Sequence, residues 1–172
     1  DLDGDGSYEI ILHQVGRGHD NSHKGKTTAP IFQAYKMDGS MLWEINLGEN
    51  IREGAHYTQF MVYDLDGDGR AEFVCKTADG TIDGNGEIIG DAESNYVNED
   101  GKILEGPEFL TVFDGLTGKE LASCDYIPNR YPIDGWGGIG GNGGNDNSGN
   151  RVDRFLAGLA AAGVPRRRRG LG

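Results

Sequence analysis

Asp64-Leu65-Asp66-Gly67-Asp68-Gly69-Arg70-Ala71-Glu72 decides how this chain is read, because it occurs twice. The same pattern stands 63 residues earlier as Asp1-Leu2-Asp3-Gly4-Asp5-Gly6-Ser7-Tyr8-Glu9. Alternating aspartates place three carboxylates on the concave side of one tight loop, and the glycines permit the turn. So much like charge repels itself unless a hard cation sits among the oxygens. Calcium accepts six to eight oxygen ligands in flexible geometry, whereas magnesium demands a strict octahedron. The expected cofactor is therefore Ca²⁺. Its expected ligands are Asp1, Asp3, Asp5 and Glu9 in the first loop and Asp64, Asp66, Asp68 and Glu72 in the second. The competing reading is an acidic surface turn that holds no metal.

An EF-hand is excluded by spacing. Its loop needs a bidentate glutamate at the twelfth position, where this chain has Leu12 and Cys75. The acid falls at the ninth position instead, and Ile10-Ile11-Leu12 or Phe73-Val74-Cys75 follows it. These runs are too short for a buried helix and start directly after a turn, so each loop opens a strand.

A second, weaker repeat accompanies the first. Ala34 to Trp43 and Thr111 to Leu121 each read as strand, Asp-Gly turn, strand, a strong hairpin signal. The unit is acidic loop, strand, connection, hairpin, and all-strand repeats of this size point to propeller blades. Between the units, Asp79 to Glu108 is rich in Gly, Asp and Asn. A segment that long without regular structure is expected to bind something, and Asp79, Asp83, Asn85 and Asp91 are candidates for a third calcium loop. Gly135 to Asn150 is almost wholly Gly, Asn, Asp and Ser behind Trp136, and reads as a surface excursion that rejoins the fold at Asn150.

The 172 residues suffice for one ordinary domain with a core, and 30 glycines with five prolines suit many short strands. Net charge is −12, from 28 acidic and 16 basic residues, four of the latter being Arg166 to Arg169. An acidic body disfavours nucleic acid and anionic membrane as partners, and no stretch approaches the ~20 apolar residues that span a bilayer. Of the two cysteines, Cys75 reads as a small buried apolar residue, with a Cys75–Cys124 disulfide as the alternative.

Several longer strings together resemble the rhamnogalacturonan lyases of polysaccharide lyase family eleven. They are Gly54 to Gly69 (GAHYTQFMVYDLDGDG), Lys76 to Thr81 (KTADGT), Gly106 to Phe113 (GPEFLTVF) and Gly149 to Gly158 (GNRVDRFLAG). The resemblance implies an all-β fold: an eight-bladed β-propeller with calcium-binding loops, of which this chain is a fragment of about three blades from the N-terminal part. It implies a secreted enzyme, monomeric when intact, that cleaves rhamnogalacturonan I by β-elimination. The family's catalytic residues lie in later blades, so none is carried over, and the fragment alone is expected to be inactive. Residues 1–158 would form the partial propeller and 159–172 an aberrant or frayed tail.

Two departures from the family stand out. Family members carry Lys-Trp-Asp-Pro, whose Asp belongs to the substrate cleft, where this chain has His13-Gln14-Val15-Gly16-Arg17. Beyond Gly158 the pattern is lost, and both breaks suggest an altered reading frame or a truncated gene.

Four residues are candidates for substrate contact, each with a structural alternative. His56 would line the cleft or be an interior histidine. Lys76 would bind a uronate carboxylate or pair locally with Asp79. Arg151 would contact sugar or join an ion-pair cluster with Asp153 and Arg154. Trp136, in its Gly-rich loop, is a better stacking platform than Trp43, which is expected in the core. Two rivals compete with the lyase reading. One is a non-catalytic calcium-binding propeller for adhesion or carbohydrate binding. The other, a docking module, would require helices that the pattern lacks.

Overall fold

The short β-branched and aromatic runs behind each acidic loop become strands, and their pairing repeats. The computed structural model describes residues 1–19, 23–54 and 57–127. Nine strands form there: β1 (Ile10–Gln14), β2 (Ile31–Tyr35), β3 (Met41–Asn46), β4 (Phe60–Tyr63), β5 (Glu72–Thr77), β6 (Thr81–Ile82), β7 (Ile88–Ile89), β8 (Phe109–Phe113) and β9 (Glu120–Asp125). They make two antiparallel sheets, ordered β1-β2-β3-β6-β7 and β4-β5-β8-β9, and no helix occurs among the described residues. The repeat expected from sequence is present in both. β1 pairs with the first strand of the hairpin β2–β3, and β5 with the first strand of the hairpin β8–β9. Even the register irregularity recurs, at Ala34/Tyr35 and at Val112/Phe113, just before each hairpin turn. A bulge there adds local twist to both hairpins.

Side chains alternate along each strand, so one face of each sheet is free to supply the core. Phe32, Ala34, Trp43 and Ile45 come from the first sheet, and Phe73, Cys75 and Phe113 from the second. Phe73 sits at the centre, with ring centroids 5.1 Å from Phe32, 5.3 Å from Trp43, 5.4 Å from Phe60 and 6.0 Å from Phe113. Trp43 is buried as expected. Its indole N–H donates to the Gly115 carbonyl at 2.7 Å, which ties β3 to the β8–β9 turn. Gly118, at φ +69°, lies flat against the Trp43 ring, where a Cβ would come within 2.8 Å.

The connection from Asp79 to Glu108 leaves β5 in the second sheet, adds β6 and β7 to the edge of the first, and returns to β8. It is a strap between sheets. Thr81 Oγ1 donates to the Leu47 carbonyl at 3.0 Å, Asn50 Nδ2 to the Asp79 carbonyl at 2.9 Å, and the Gly84 N–H to the Gly118 carbonyl at 2.8 Å. Cys75 is buried on β5, as read from the sequence, and the disulfide alternative does not hold: both cysteines are free, with Cys124 exposed on β9. β8 lies between those strands, so no disulfide joins them. The expected third blade, the Gly/Asn segment and the expected 159–172 tail fall outside the described residues. Among the described residues no helix is long and apolar enough to cross a membrane.

Candidate metal loops

Each acidic loop is shaped by its own backbone. Asp1 Oδ1 and Oδ2 accept the N–H groups of Gly4 and Gly6 at 2.7 and 3.0 Å; Asp64 accepts those of Gly67 and Gly69 at 2.6 and 3.1 Å. Asp3 and Asp66 each take the N–H two residues on, at 3.1 and 3.0 Å. The ninth-position glutamates close the loops: Glu9 accepts the Leu2 N–H at 2.6 Å and Glu72 the Leu65 N–H at 2.7 Å. The glycines at positions four and six have positive φ in both copies, from 77° to 95°. These bonds curl the chain so that carboxylates converge.

The converging sets are not the same. In the first loop Asp1, Asp3 and Asp5 bring one oxygen each within 4.8 Å of one another; in the second the set is Asp64, Asp66 and Glu72. Glu9 and Asp68, both expected ligands, stand outside these sets. A chelated calcium ion keeps its oxygens at 2.3–2.6 Å, so opposed ligands lie about 5 Å apart. All-oxygen carboxylate sets of this span fit calcium and offer nothing to softer metals. Electrostatics agree for the second loop. Glu72 is 8 % exposed, and its carboxyl is held above its ordinary pKa by loss of hydration, reinforced by the charges of Asp66, Asp64 and Asp68.

Two basic side chains bond carboxylates of the loops, and sequence reasoning missed both. Lys36, at the end of β2, places its ammonium 2.7 Å from Asp3 Oδ2, and this bond holds the Asp3 carboxyl below its usual value. Arg70 bonds Asp68 Oδ2 at 3.0 Å. Its own N–H, donated to Asp68 Oδ1, and then its guanidinium lower the Asp68 pKa. Arg70 was visible at position seven of the motif; Lys36 approaches only through β1–β2 pairing. The loops also touch. The Ala71 N–H donates to the Asp1 carbonyl at 2.8 Å, and the Arg70 stem covers Gly4, where a Cβ would lie 2.9 Å from Arg70 Cγ.

Asp79 and Asp83 are buried, but their oxygens bind the protein itself rather than converging. Asp79 accepts the Asp91 N–H at 2.9 Å and the Tyr96 hydroxyl at 3.0 Å. Asp83 accepts the N–H groups of Asn85, Glu87 and Glu120, each at 2.9 Å. Among the described residues, neither joins a three-carboxylate set. The strap thus orders itself through these acids.

Of the substrate candidates, only Lys76 is described; His56, Trp136 and Arg151 lie outside the described residues. Lys76 does not pair with Asp79. Its ammonium is 2.8 Å from Glu108 Oε1, both side chains are buried, and it lies 5.5 Å over the Tyr126 ring. β5 is buried along its whole length, and the Lys76–Glu108 pair is buried with it. At the divergent segment, His13 Nε2 meets Glu53 Oε2 at 3.0 Å and its ring packs on Phe32 with centroids 5.0 Å apart. That segment is built into the fold rather than appended to it. A polar cleft of about 450 Å³ lies beside the strap, lined by Asn46, Glu49, Asn50, Asp79, Ser94 and Asn95 among others.

The family model described as rhamnogalacturonan lyase family 11, C-terminal domain, matches residues 1–164. The chain is 57% identical over 161 residues to the rhamnogalacturonan endolyase YesW of Bacillus subtilis (strain 168) and 56% identical over 161 residues to the exolyase YesX of the same strain. Each match covers 93% of this chain and 25% of the relative. Among solved structures, the exotype rhamnogalacturonan lyase YesX superposes with a TM-score of 0.81 at 56% identity, over 92% of this chain and 25% of that one. The Bacillus licheniformis rhamnogalacturonan lyase PL11 gives 0.80 at 56% identity, over 91% and 26%. The chain spans about a quarter of the length of these relatives.

Proposed function

We propose, from the premise that this chain belongs to rhamnogalacturonan lyase family 11, that it is part of a secreted enzyme that cuts rhamnogalacturonan I by β-elimination. The observation that carries the proposal is the family match over residues 1–164, with the strand architecture kept at a TM-score of 0.81. The reaction needs the uronate carboxylate neutralised so that the adjacent C–H becomes acidic. A base within hydrogen-bond reach then takes that proton. The 4-O-linked sugar departs and leaves an unsaturated uronate, with no water consumed. No described residue is assigned as the base. The role proposed for this segment is architectural.

In this reading the two sheets are consecutive blades of a β-propeller, expected to have eight. The sheet β4-β5-β8-β9 has the four strands of a blade. Calcium would be held by Asp1, Asp3 and Asp5 in one loop and by Asp64, Asp66 and Glu72 in the other. When bound it supplies positive charge that offsets carboxylate repulsion at the blade edges. The test is incubation of the intact parent with rhamnogalacturonan I, reading the ultraviolet absorbance of the unsaturated uronate. Absorbance that grows with time supports the lyase. Retention of the polysaccharide without absorbance would instead establish a non-catalytic carbohydrate-binding propeller. This chain alone is expected to produce no absorbance. A thermal melt of the chain in millimolar calcium against chelator tests the metal, with a rise in midpoint expected.

A further inference from the structure

We infer that the two acidic loops are unequal calcium sites, the first weakened by Lys36 acting as a tethered competitor cation and the second left open because Arg70 is parked outside its ligand set. The inference rests on the calcium reading of the loops and adds to it which side chains set their affinities.

The loops share one sequence pattern, so their differences isolate the cause. At the third position, Asp3 Oδ2 is taken by the Lys36 ammonium at 2.7 Å. Its counterpart Asp66 accepts only the Asp68 N–H among the described residues, at Oδ1. At the fifth position the relation reverses. Asp5 faces Ser7, whose N–H it accepts at 2.7 Å, whereas Asp68 is engaged by Arg70 through both Nε and a terminal nitrogen, at 3.3 and 3.0 Å. The convergent sets follow: positions one, three and five in the first loop, and one, three and nine in the second. The guanidinium therefore accompanies the replacement of the fifth carboxylate by the ninth, and among the described residues no member of the second set is bonded to a basic side chain. In the first set one residue is, Asp3 through its Oδ2. A divalent ion entering the first loop must share Asp3 with an ammonium or displace it, and like charges at that distance repel. The second loop also holds a buried carboxylate, Glu72, which gains most from a cation.

Calorimetric titration of the 172-residue chain with calcium chloride tests this. Asp66→Asn silences the second loop and leaves the first for measurement; Asp3→Asn does the converse. Sites elsewhere in the chain appear equally in each pair of arms and cancel. Asp66→Asn is expected to remove the tighter class of site and Asp3→Asn the weaker. Adding Lys36→Met to Asp66→Asn is expected to tighten the remaining loop roughly two- to fivefold, the worth of an exposed ion pair. Lys36→Arg in the same background keeps the charge and should leave the affinity near that of Asp66→Asn. Circular dichroism of each variant confirms that the strands persist. Equal affinities for the two loops, or unchanged or weaker binding in the Lys36→Met arm, overturn the inference alone. Absence of saturable calcium uptake in the unsubstituted chain overturns the calcium reading and this inference with it.

Discussion

Lys76 and Glu108 are 7 % and 3 % exposed, and their 2.8 Å bond is the most deeply buried ion pair among the described residues. Its reach across the β5–β8 pairing explains why sequence alone paired Lys76 with the nearer Asp79. A buried pair adds little net stability, but removing one partner is expensive because the other charge stays buried. Lys76→Met is therefore expected to lower unfolding free energy by about 3–5 kcal/mol, and Lys76→Met with Glu108→Leu to recover most of that loss. Urea denaturation midpoints at constant m-value check both. A second prediction concerns the thiols. Burial drives the Cys75 pKa far above the ordinary thiol range, which suppresses its thiolate, while Cys124 is exposed. A thiol reagent should titrate one cysteine in the native chain and two in denaturant. Two fast thiols in the native state would mean that β5 is not packed as described.

The hairpins show what an element contributes beyond its turn signal. Gly39 in the β2–β3 turn and Gly118 in the β8–β9 turn both have positive φ, 87° and 69°, but only Gly118 is pressed on another residue, the Trp43 ring. Gly39→Ala should cost about 1–2 kcal/mol, the left-handed backbone penalty alone. Gly118→Ala adds overpacking against Trp43, typically a further 1–3 kcal/mol. Equal losses in thermal melts would remove Trp43 from the argument. The turns, the strands after each acidic loop and the repeat itself were legible in sequence because their signals are local: alternation, Asp-Gly, and aspartates spaced two apart. The strap was not. Asp79 and Asp83 have the composition of a metal loop, but they accept from backbone amides and the Tyr96 hydroxyl, up to 37 residues away at Glu120, and no window of sequence shows that. The acidic loops were legible as clusters, whereas which carboxylates converge was not. The contacts that distinguish the two loops come from outside the aspartate pattern: Lys36 reaches Asp3 from the end of β2, and Arg70 bonds Asp68.

At the scale of the molecule, the question is what makes two sheets one folding unit. The shared aromatic cluster around Phe73 is one answer, and the strap is the other, since it hydrogen-bonds to both sheets. Asp83 is its key residue. It is 3 % exposed, and it orders the β6–β7 turn through Asn85 and Glu87 while Oδ2 takes the Glu120 N–H at the start of β9. Asp83→Ala leaves three amide donors without their acceptor, in a place where water enters poorly. A loss on the order of 3 kcal/mol is expected, since buried unsatisfied groups cost ~1–3 kcal/mol each and the exposed Asn85 and Glu87 recover some hydration. Asp83→Asn keeps a carbonyl oxygen for the turn amides but gives up the second acceptor, so its loss should fall between that of Asp83→Ala and none. Because the Phe73 cluster still joins the sheets, both variants should melt in a single transition at lower temperature. Amide exchange at Glu120 and Gly84 should accelerate while β1 and β2 keep their relative protection. Two separated transitions in Asp83→Ala would show instead that the strap alone couples the sheets, and that the aromatic contact between them is a consequence of docking rather than its cause.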